Sequence, residues 1–354
     1  MQIPAFQVIL YSILNIFHNL HKNSSQKWLL FLVGLEVDKM KIFIRICYTG
    51  QKSIYEGAPM QTIIPHLWFD TQALEAAQLY TSLIPDSRID WTHQLTDTPS
   101  GDAVLIQFQL ANLTLAAISA GPYFKLNESA SLMVHFRDKA ELDRVFQLLS
   151  EGGRILMPLG EYPFNPHYVW FEDRFGLSWQ FLLNPQLDKP VHLDICLLFS
   201  EEQVGLAKPF LEESLTIFPE SQQGQLSYYQ EGEKQVPAAQ LNYGELLLGD
   251  QKLVVMDHGY GGVASFNEAF SLMVYTDSQE ETSRLYDLLS HEPKAEQCGW
   301  VKDQFGLSWQ IVPRPLMTAY EELSKDQMKE VNDAILSMKR LNYDEFVSLT
   351  KKSS

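Results

Sequence analysis

The feature that most constrains this chain is that it repeats itself. DRFGLSWQF at 173–181 returns as DQFGLSWQI at 303–311. NESASLMV at 127–134 returns as NEAFSLMV at 267–274, and Leu148-Leu149-Ser150 returns as Leu288-Leu289-Ser290 at that same offset. Pro85-Asp86-Ser87 is answered by Pro219-Glu220-Ser221. Matches in one order with drifting offsets mean two homologous domains carrying small insertions. They fall at 60–186 and 190–314, and a length of 354 residues suits two domains.

Within each copy the pattern reads strand, helix, then several strands. Ile63 to Phe69 is an apolar strand, and Gln72 to Leu83 puts Ala73, Ala76, Ala77, Tyr80 and Leu83 at helical spacing. Val104, Ile106, Phe108 and Leu110 alternate with Gln107 and Gln109, and Leu113 to Ser119 follows after a turn at Asn112. The second half repeats this. Ser131 to Phe136 is a strand, and Lys139 to Ser150 is a helix with Leu142, Val145, Phe146 and Leu149 on one face, ended by Gly152-Gly153. Strands are expected around Arg154–Met157, Val169–Phe171 and Leu177–Leu183. Each domain is thus two βαβββ units, an α+β class. A tail at 315–354 is expected to hold helices near Leu316–Leu323 and Asp326–Lys339.

Charge separates the N-terminal stretch, 1–59, from this body. It holds six Lys and Arg against three Asp and Glu, so the chain's formal −17 is a −20 body with a +3 extension. Such an acidic body repels phosphate backbones and anionic lipid, so neither nucleic acid nor membrane is an expected partner of residues 60–354. In the extension, the apolar runs Phe6 to Phe17 and Trp28 to Val37 are too short and too interrupted to span a bilayer, and no secretory pattern is present. The reading is that Met60 is the natural start and the upstream stretch a non-native extension, with a membrane-associated helix as the alternative. Three cysteines, Cys47, Cys196 and Cys298, make neither a disulfide framework nor a zinc spacing, which fits a reducing cytoplasm.

PHLWFD at 65–70, PDS at 85–87, GPYFKLN at 121–127, DRFGLSWQ at 173–180 and CGWVKDQFGLSWQIVP at 298–313 resemble the PhnB-like family. That family belongs to the vicinal-oxygen-chelate (glyoxalase/bleomycin-resistance) superfamily and also carries the label 3-demethylubiquinone-9 3-methyltransferase-like. AILSMKRLNYD at 334–344 resembles the helical tail that often follows the domain. The resemblance implies two tandem vicinal-oxygen-chelate domains, with paired βαβββ units curled around a cavity. In metalloenzymes of the superfamily, ligands project from the first and last strands of the paired units onto a divalent cation.

Carried over residue by residue, those positions are poor in donors. In the first domain they fall at His66 (or Ile64), at Ala116 or Ala117, at Ser131 and at Gln180. In the second, Cys196, Ser271 and Gln310 take the equivalent places. No carboxylate is among them, and a dication's desolvation is then poorly offset. No cofactor is expected. If a metal is present, His66 and Gln180 would hold it. A lone histidine on an apolar strand is ordinarily a core or pocket-wall residue.

Residues two apart on a strand share a face, so Ile64, His66 and Trp68 go together, as do Ser131, Met133 and His135, and Ser178 and Gln180. With Cys196, Ser271 and Gln310 these are the candidate pocket-lining residues, while Trp179 and Trp309 face the helices. The wall suits a small, largely apolar or aromatic molecule; a closed, filled core is the alternative. A methyltransferase reading wants a glycine-rich strand-to-helix loop. The nearest cluster, Gly259, Gly261 and Gly262, matches the loop at Gly121 and does not read as a nucleotide cradle.

The expectation is a small-molecule-binding tandem protein with degraded metal sites. A metal-dependent isomerase, lyase, dioxygenase or thiol transferase is the alternative, and a demethylubiquinone methyltransferase-like activity is the second. Two domains in one chain supply internally the pairing that single-domain relatives make by dimerising, so a monomer or weak homodimer is expected.

Overall fold

The computed structural model describes residues 27–32, 44–49, 63–98, 101–262, 264–317 and 325–351. The chain divides into two compact units, Met1–Met60 and Gln61–Ser354. In the first, β1 (Lys27–Leu32) pairs antiparallel with β2 (Ile44–Thr49). Most of β1 lies within the Trp28–Val37 run, and the Phe6–Phe17 run lies outside the described residues. No helix among the described residues is long and apolar enough to cross a membrane.

The second unit holds four successive modules. The first is β3 (Ile63–Phe69), α1 (Ala73–Leu83), β4 (Arg88–Thr98), β5 (Gly101–Leu110) and β6 (Leu113–Ser119). The next is β7 (Ala130–Phe136), α2 (Lys139–Leu149), β8 (Arg154–Tyr162), β9 (Asn165–Glu172) and β10 (Ser178–Leu183). The third runs β11 (Val191–Phe199), α3 (Ala207–Ile217), β12 (Ser221–Tyr228), β13 (Leu241–Leu248) and β14 (Gln251–Asp257). The last is shorter: β15 (Phe270–Thr276), α4 (Gln279–Leu289), β16 (Trp300–Lys302) and β17 (Ser308–Pro313). This departs from four equal βαβββ units. The long β8–β9 hairpin is replaced by a loop with a single bridge, Gln297 to Trp300. Leu288-Leu289-Ser290 stands nearer to the motif at Asp303 than Leu148-Leu149-Ser150 does to the motif at Asp173, so what the second copy lacks is this strand and its turn.

The modules do not pair within their own repeats. Sheet 1 runs β16-β17-β15-β3-β6-β5-β4 and sheet 2 runs β12-β13-β14-β11-β7-β10-β9-β8. Sheet 1 therefore joins the first module to the last, and sheet 2 joins the two middle ones. The seams are antiparallel, with Ser271 opposite His66 between β15 and β3 and Cys196 opposite Ser131 between β11 and β7.

Each sheet turns one face to the helices, and one apolar cluster runs through both helix-facing layers. The α1 stripe is the one that the spacing predicts: Ala73, Ala76, Ala77, Tyr80 and Leu83 are all buried. Asp138 and Ser278 cap α2 and α4 by accepting the Glu141 and Glu281 amides, which satisfies otherwise orphaned donors.

The repeated DxFGLSWQ motif is structural at its first half. Asp173 is 3% exposed; Oδ1 accepts the amides of Phe175 and Leu177, and Oδ2 accepts Trp179 Nε1 and the Tyr80 hydroxyl. Asp303 repeats the set with Phe305, Leu307 and Trp309. The aspartate thus shapes the turn, holds the indole and, in the first copy, ties α1 to sheet 2. Trp179 and Trp309 are fully buried on the helix side, as expected.

The tail differs in part from its expectation. α5 (Lys325–Ser337) matches the second anticipated helix, α6 (Tyr343–Lys351) is an addition, and most of Leu316–Leu323 lies outside the described residues.

Candidate functional site

On the face turned away from α1–α4, hereafter the far face, the two sheets present equivalent quartets. Register places His66 beside Ala116 and Ser271, with Gln310 beside Met273, on sheet 1. It places Cys196 beside Val254 and Ser131, with Gln180 beside Met133, on sheet 2. The structure therefore separates His66 from Gln180. The pair that would jointly hold a metal in a within-repeat pocket lies on two different sheets, because the seams join modules of opposite repeats.

In sheet 2 the quartet is hydrogen-bonded in one direction. Tyr168 donates to Gln180 Oε1 (2.8 Å), and Gln180 Nε2 donates to Ser131 Oγ (2.8 Å). Trp170 Nε1 donates to Ser178 Oγ (2.8 Å). Cys196 packs with Met133 and Val254, its sulfur 3.8 Å from Met256 Sδ, and burial pushes its thiol up to about 12. Above this buried floor stand half-buried Trp170, Leu182, Tyr243, Met256 and His258.

The expected pocket residue His135 belongs to a charged network beside the quartet. Asp194, 1% exposed, accepts His135 Nε2 (3.1 Å), His192 Nε2 (3.1 Å) and Lys252 Nζ (2.8 Å). Lys252 also reaches Glu245 (3.4 Å), which takes the Tyr243 hydroxyl (2.8 Å). Burial alone would raise the Asp194 carboxyl, but the two imidazoles and the ammonium hold it well below the usual carboxylate range. Asp194, His192, Lys252, Glu245, Tyr243, Tyr168, Trp170 and Met256 are not among the expected lining residues. Alternation back from Cys196 points to Asp194 and His192; the others depend on the pairing of β13 with β14 and of β9 with β10, which the sequence does not display.

Sheet 1 is different. Gln310 Nε2 donates to Ser271 Oγ (2.9 Å), but His66 Nδ1 is buried without a hydrogen-bond partner and the ring meets Trp300 edge-on at 5.6 Å. Burial lowers the His66 imidazole to about 3, so it is neutral. Trp68 is half-buried and donates through Nε1 to the Gly121 carbonyl (2.8 Å). Positions matching Asp194 and Lys252 hold Ile64 and Thr114, and this face is covered by Met328, Val331, Leu341 and Phe346 of the tail.

A chelated dication does not fit either quartet. Each has one nitrogen or sulfur donor, a serine and a glutamine, with no carboxylate, and Gln180 Oε1 is already taken by Tyr168. Among the described residues no three His, Cys, Asp or Glu are grouped to hold a metal ion. Lys252 itself supplies the cation beside Asp194.

The chain matches the family described as 3-demethylubiquinone-9 3-methyltransferase twice, at 61–182 and at 192–312. No curated protein sequence matches it. Among solved structures it is similar to a PhnB protein of Bacillus cereus, with 33% identity over 35% of this chain and 100% of that one and a TM-score of 0.33. A Pseudomonas aeruginosa protein matches at 26% identity over 35% and 98%, with a TM-score of 0.31. Glyoxalase I of Zea mays spans 74% of this chain and 98% of its own, at 11% identity and a TM-score of 0.45. Two family matches covering most of the chain, on the module pattern seen above, make it a tandem member of the 3-demethylubiquinone-9 3-methyltransferase family.

Proposed function

We propose that this protein binds a small, largely apolar or aromatic molecule on the far face of sheet 2, and that it does so without a chelated metal. One observation carries the reading. A buried, hydrogen-bonded floor of Ser131, Gln180 and Cys196 lies beneath half-buried Trp170, Tyr243, Met256 and Leu182, beside a charged network that can orient a polar substituent. An apolar wall with few, fixed polar groups is the composition of a small-molecule site. The corresponding face of sheet 1 is covered by the chain's own tail.

Methyl transfer of the kind in the family's name finds little support in the turns. A nucleotide-type cradle wants glycines between a strand and its helix. Here those turns read Asp70-Thr71-Gln72, Arg137-Asp138 and Asp277-Ser278, and the turn before α3 holds only Gly205. Two free thiols, Cys196 and Cys298, and the acidic body support a reducing cytoplasmic setting without nucleic-acid or membrane partners.

Methionine-methyl NMR tests the reading, since Met133 and Met256 report on sheet 2. With a panel of aromatic and aliphatic alcohols, ketones and quinones, at least one compound is expected to shift both methyls. Trp170→Ala is expected to weaken that binding about tenfold. A tightly bound metal, one per chain and lost on Cys196→Ala, would overturn it, as would a panel that leaves both methyls unmoved.

A further inference from the structure

The tail's position on sheet 1 is not that of a simple packing element. Met328, Val331, Leu341 and Phe346, all 8% exposed or less, lie with Ile64, Ala116, Met273, Tyr275 and Val312 in one apolar cluster. Yet the floor they cover is polar at its centre: Ser271 and Gln310 bond each other, and His66 Nδ1 is left with no partner. Among the described residues, no tail side chain completes the hydrogen bonding of that nitrogen. Buried in a neutral ring, that nitrogen has lost water without gaining a hydrogen bond. Were the face only a seat for helices, an apolar residue at 66, like Ile64 on the same face, would serve better.

The hydrogen bonds that the tail makes with Gln297, Cys298, Gly299 and Gln279 lie off this floor, at the edge of sheet 1 and on α4. Cys298 and Gly299 donate their amides to the Met338 and Lys339 carbonyls (2.8 and 2.7 Å), and Gln297 Nε2 donates to Leu336 O (3.0 Å). The Tyr343 amide donates to Gln279 Oε1. Two exposed ion pairs, Lys339 with Glu296 and Arg340 with Asp287, add little. Helices held at one edge and by apolar contact can leave the floor while the edge bonds remain.

We propose that the far face of sheet 1 is a second ligand site, closed by the C-terminal helices, which occupy it as a built-in competitor. Its ligand is an apolar molecule bearing one hydroxyl group. The methionine, valine, leucine and phenylalanine that now fill the face define the apolar body. The hydroxyl follows from His66, because an O–H both donates and accepts and so serves whichever tautomer the ring adopts. Tail and ligand exclude each other, so the ligand's apparent affinity is reduced by the fraction of chains whose tail is docked.

The test uses the full chain and 1-naphthol, an apolar body with one hydroxyl. Met273 and Met328 methyls report on sheet 1, while Met133 and Met256 report on sheet 2. In the unaltered chain, 1-naphthol is expected to shift Met273 and Met328 and to speed amide exchange in Tyr343–Lys351 at least fivefold. Leu341→Asp, which weakens tail docking, is expected to tighten the binding seen at Met273 and Met328 about tenfold, and adding His66→Leu to remove that gain. Should Leu341→Asp fail to fold, the exchange measurement on the unaltered chain decides. Shifts absent, or confined to Met133 and Met256 with tail exchange unchanged, overturn the second site; the latter pattern leaves the reading of sheet 2 standing.

Discussion

His66 stands directly across from Ser271 in the pairing of β3 with β15, and so the first strand of one repeat completes its sheet with the second half of the other. The β7–β11 seam does the same with Ser131 and Cys196. Both module pairings are thus made inside one chain, and no strand of either seam waits for a second copy. The protein is expected to sediment as a monomer or weakly associating dimer in the micromolar range. An obligate tetramer in velocity runs at several loading concentrations would show that the seams do not exhaust its pairing.

This cross-pairing is also what the sequence conceals. The duplication, the α1 stripe and the inward Trp179 and Trp309 are all legible, because local periodicity and repeated motifs record them. Which module joins which is a long-range choice, and His66 pairs equally well on paper with either repeat. For the same reason alternation from Cys196 reaches Asp194 on the same strand, while Lys252 and Glu245 enter the site only once β14 and β13 are laid beside β11.

Asp173 accepts four hydrogen bonds at one buried carboxylate, two at each oxygen, so an amide in its place strands two donors. Asp173→Asn is expected to destabilise the chain by about 2 kcal/mol or more, since an amide turns donors toward donors. Tyr80→Phe removes one bond of the four and is expected to cost about 1 kcal/mol. Urea unfolding of the two variants measures both, and equal losses would contradict the assignment of Asp173 as the hub.

His66 links stability to acid. Burial holds its folded-state value near 3, below the ordinary 6.5, so the folded protein refuses a proton that the unfolded chain accepts. Its contribution is complete above about pH 6.5 and is lost as pH falls toward 3, at roughly 1.4 kcal/mol per unit. The buried Asp303 carboxyl, raised to about 6, acts oppositely, its contribution fading as pH rises from about 4 to 6. The difference between the unaltered protein and His66→Leu isolates the histidine. That difference is expected to move steadily in favour of the leucine variant on acidification from pH 6.5, and a flat one would mean that the imidazole is hydrated.

The two described thiols are expected to react in order. Cys298 is partly exposed and Cys196 fully buried, and burial raises both, Cys196 to about 12. Little thiolate is present at either site near neutrality. Mass mapping after timed alkylation at pH 8 should find Cys298 modified slowly and Cys196 only on the timescale of unfolding. Rapid labelling of Cys196 would show that the floor of sheet 2 is open to reagents.

Asp194 joins the repeats electrostatically, taking His135 from β7 of the first and His192 and Lys252 from β11 and β14 of the second. Its depressed carboxyl stabilises the fold above the ordinary carboxylate range and ceases to do so as pH falls through the folded value. Asp194→Asn leaves Lys252 only Glu245, at 3.4 Å, and is expected to cost about 3 kcal/mol at neutral pH. Lys252→Met should cost less, because two imidazole donors still serve the carboxylate. In the double variant the losses are expected to fall short of additivity by roughly 1–2 kcal/mol, the coupling that a shared buried pair produces. Additive losses would mean that ammonium and carboxylate are each satisfied independently, and the network would then be a set of neighbours without a common function.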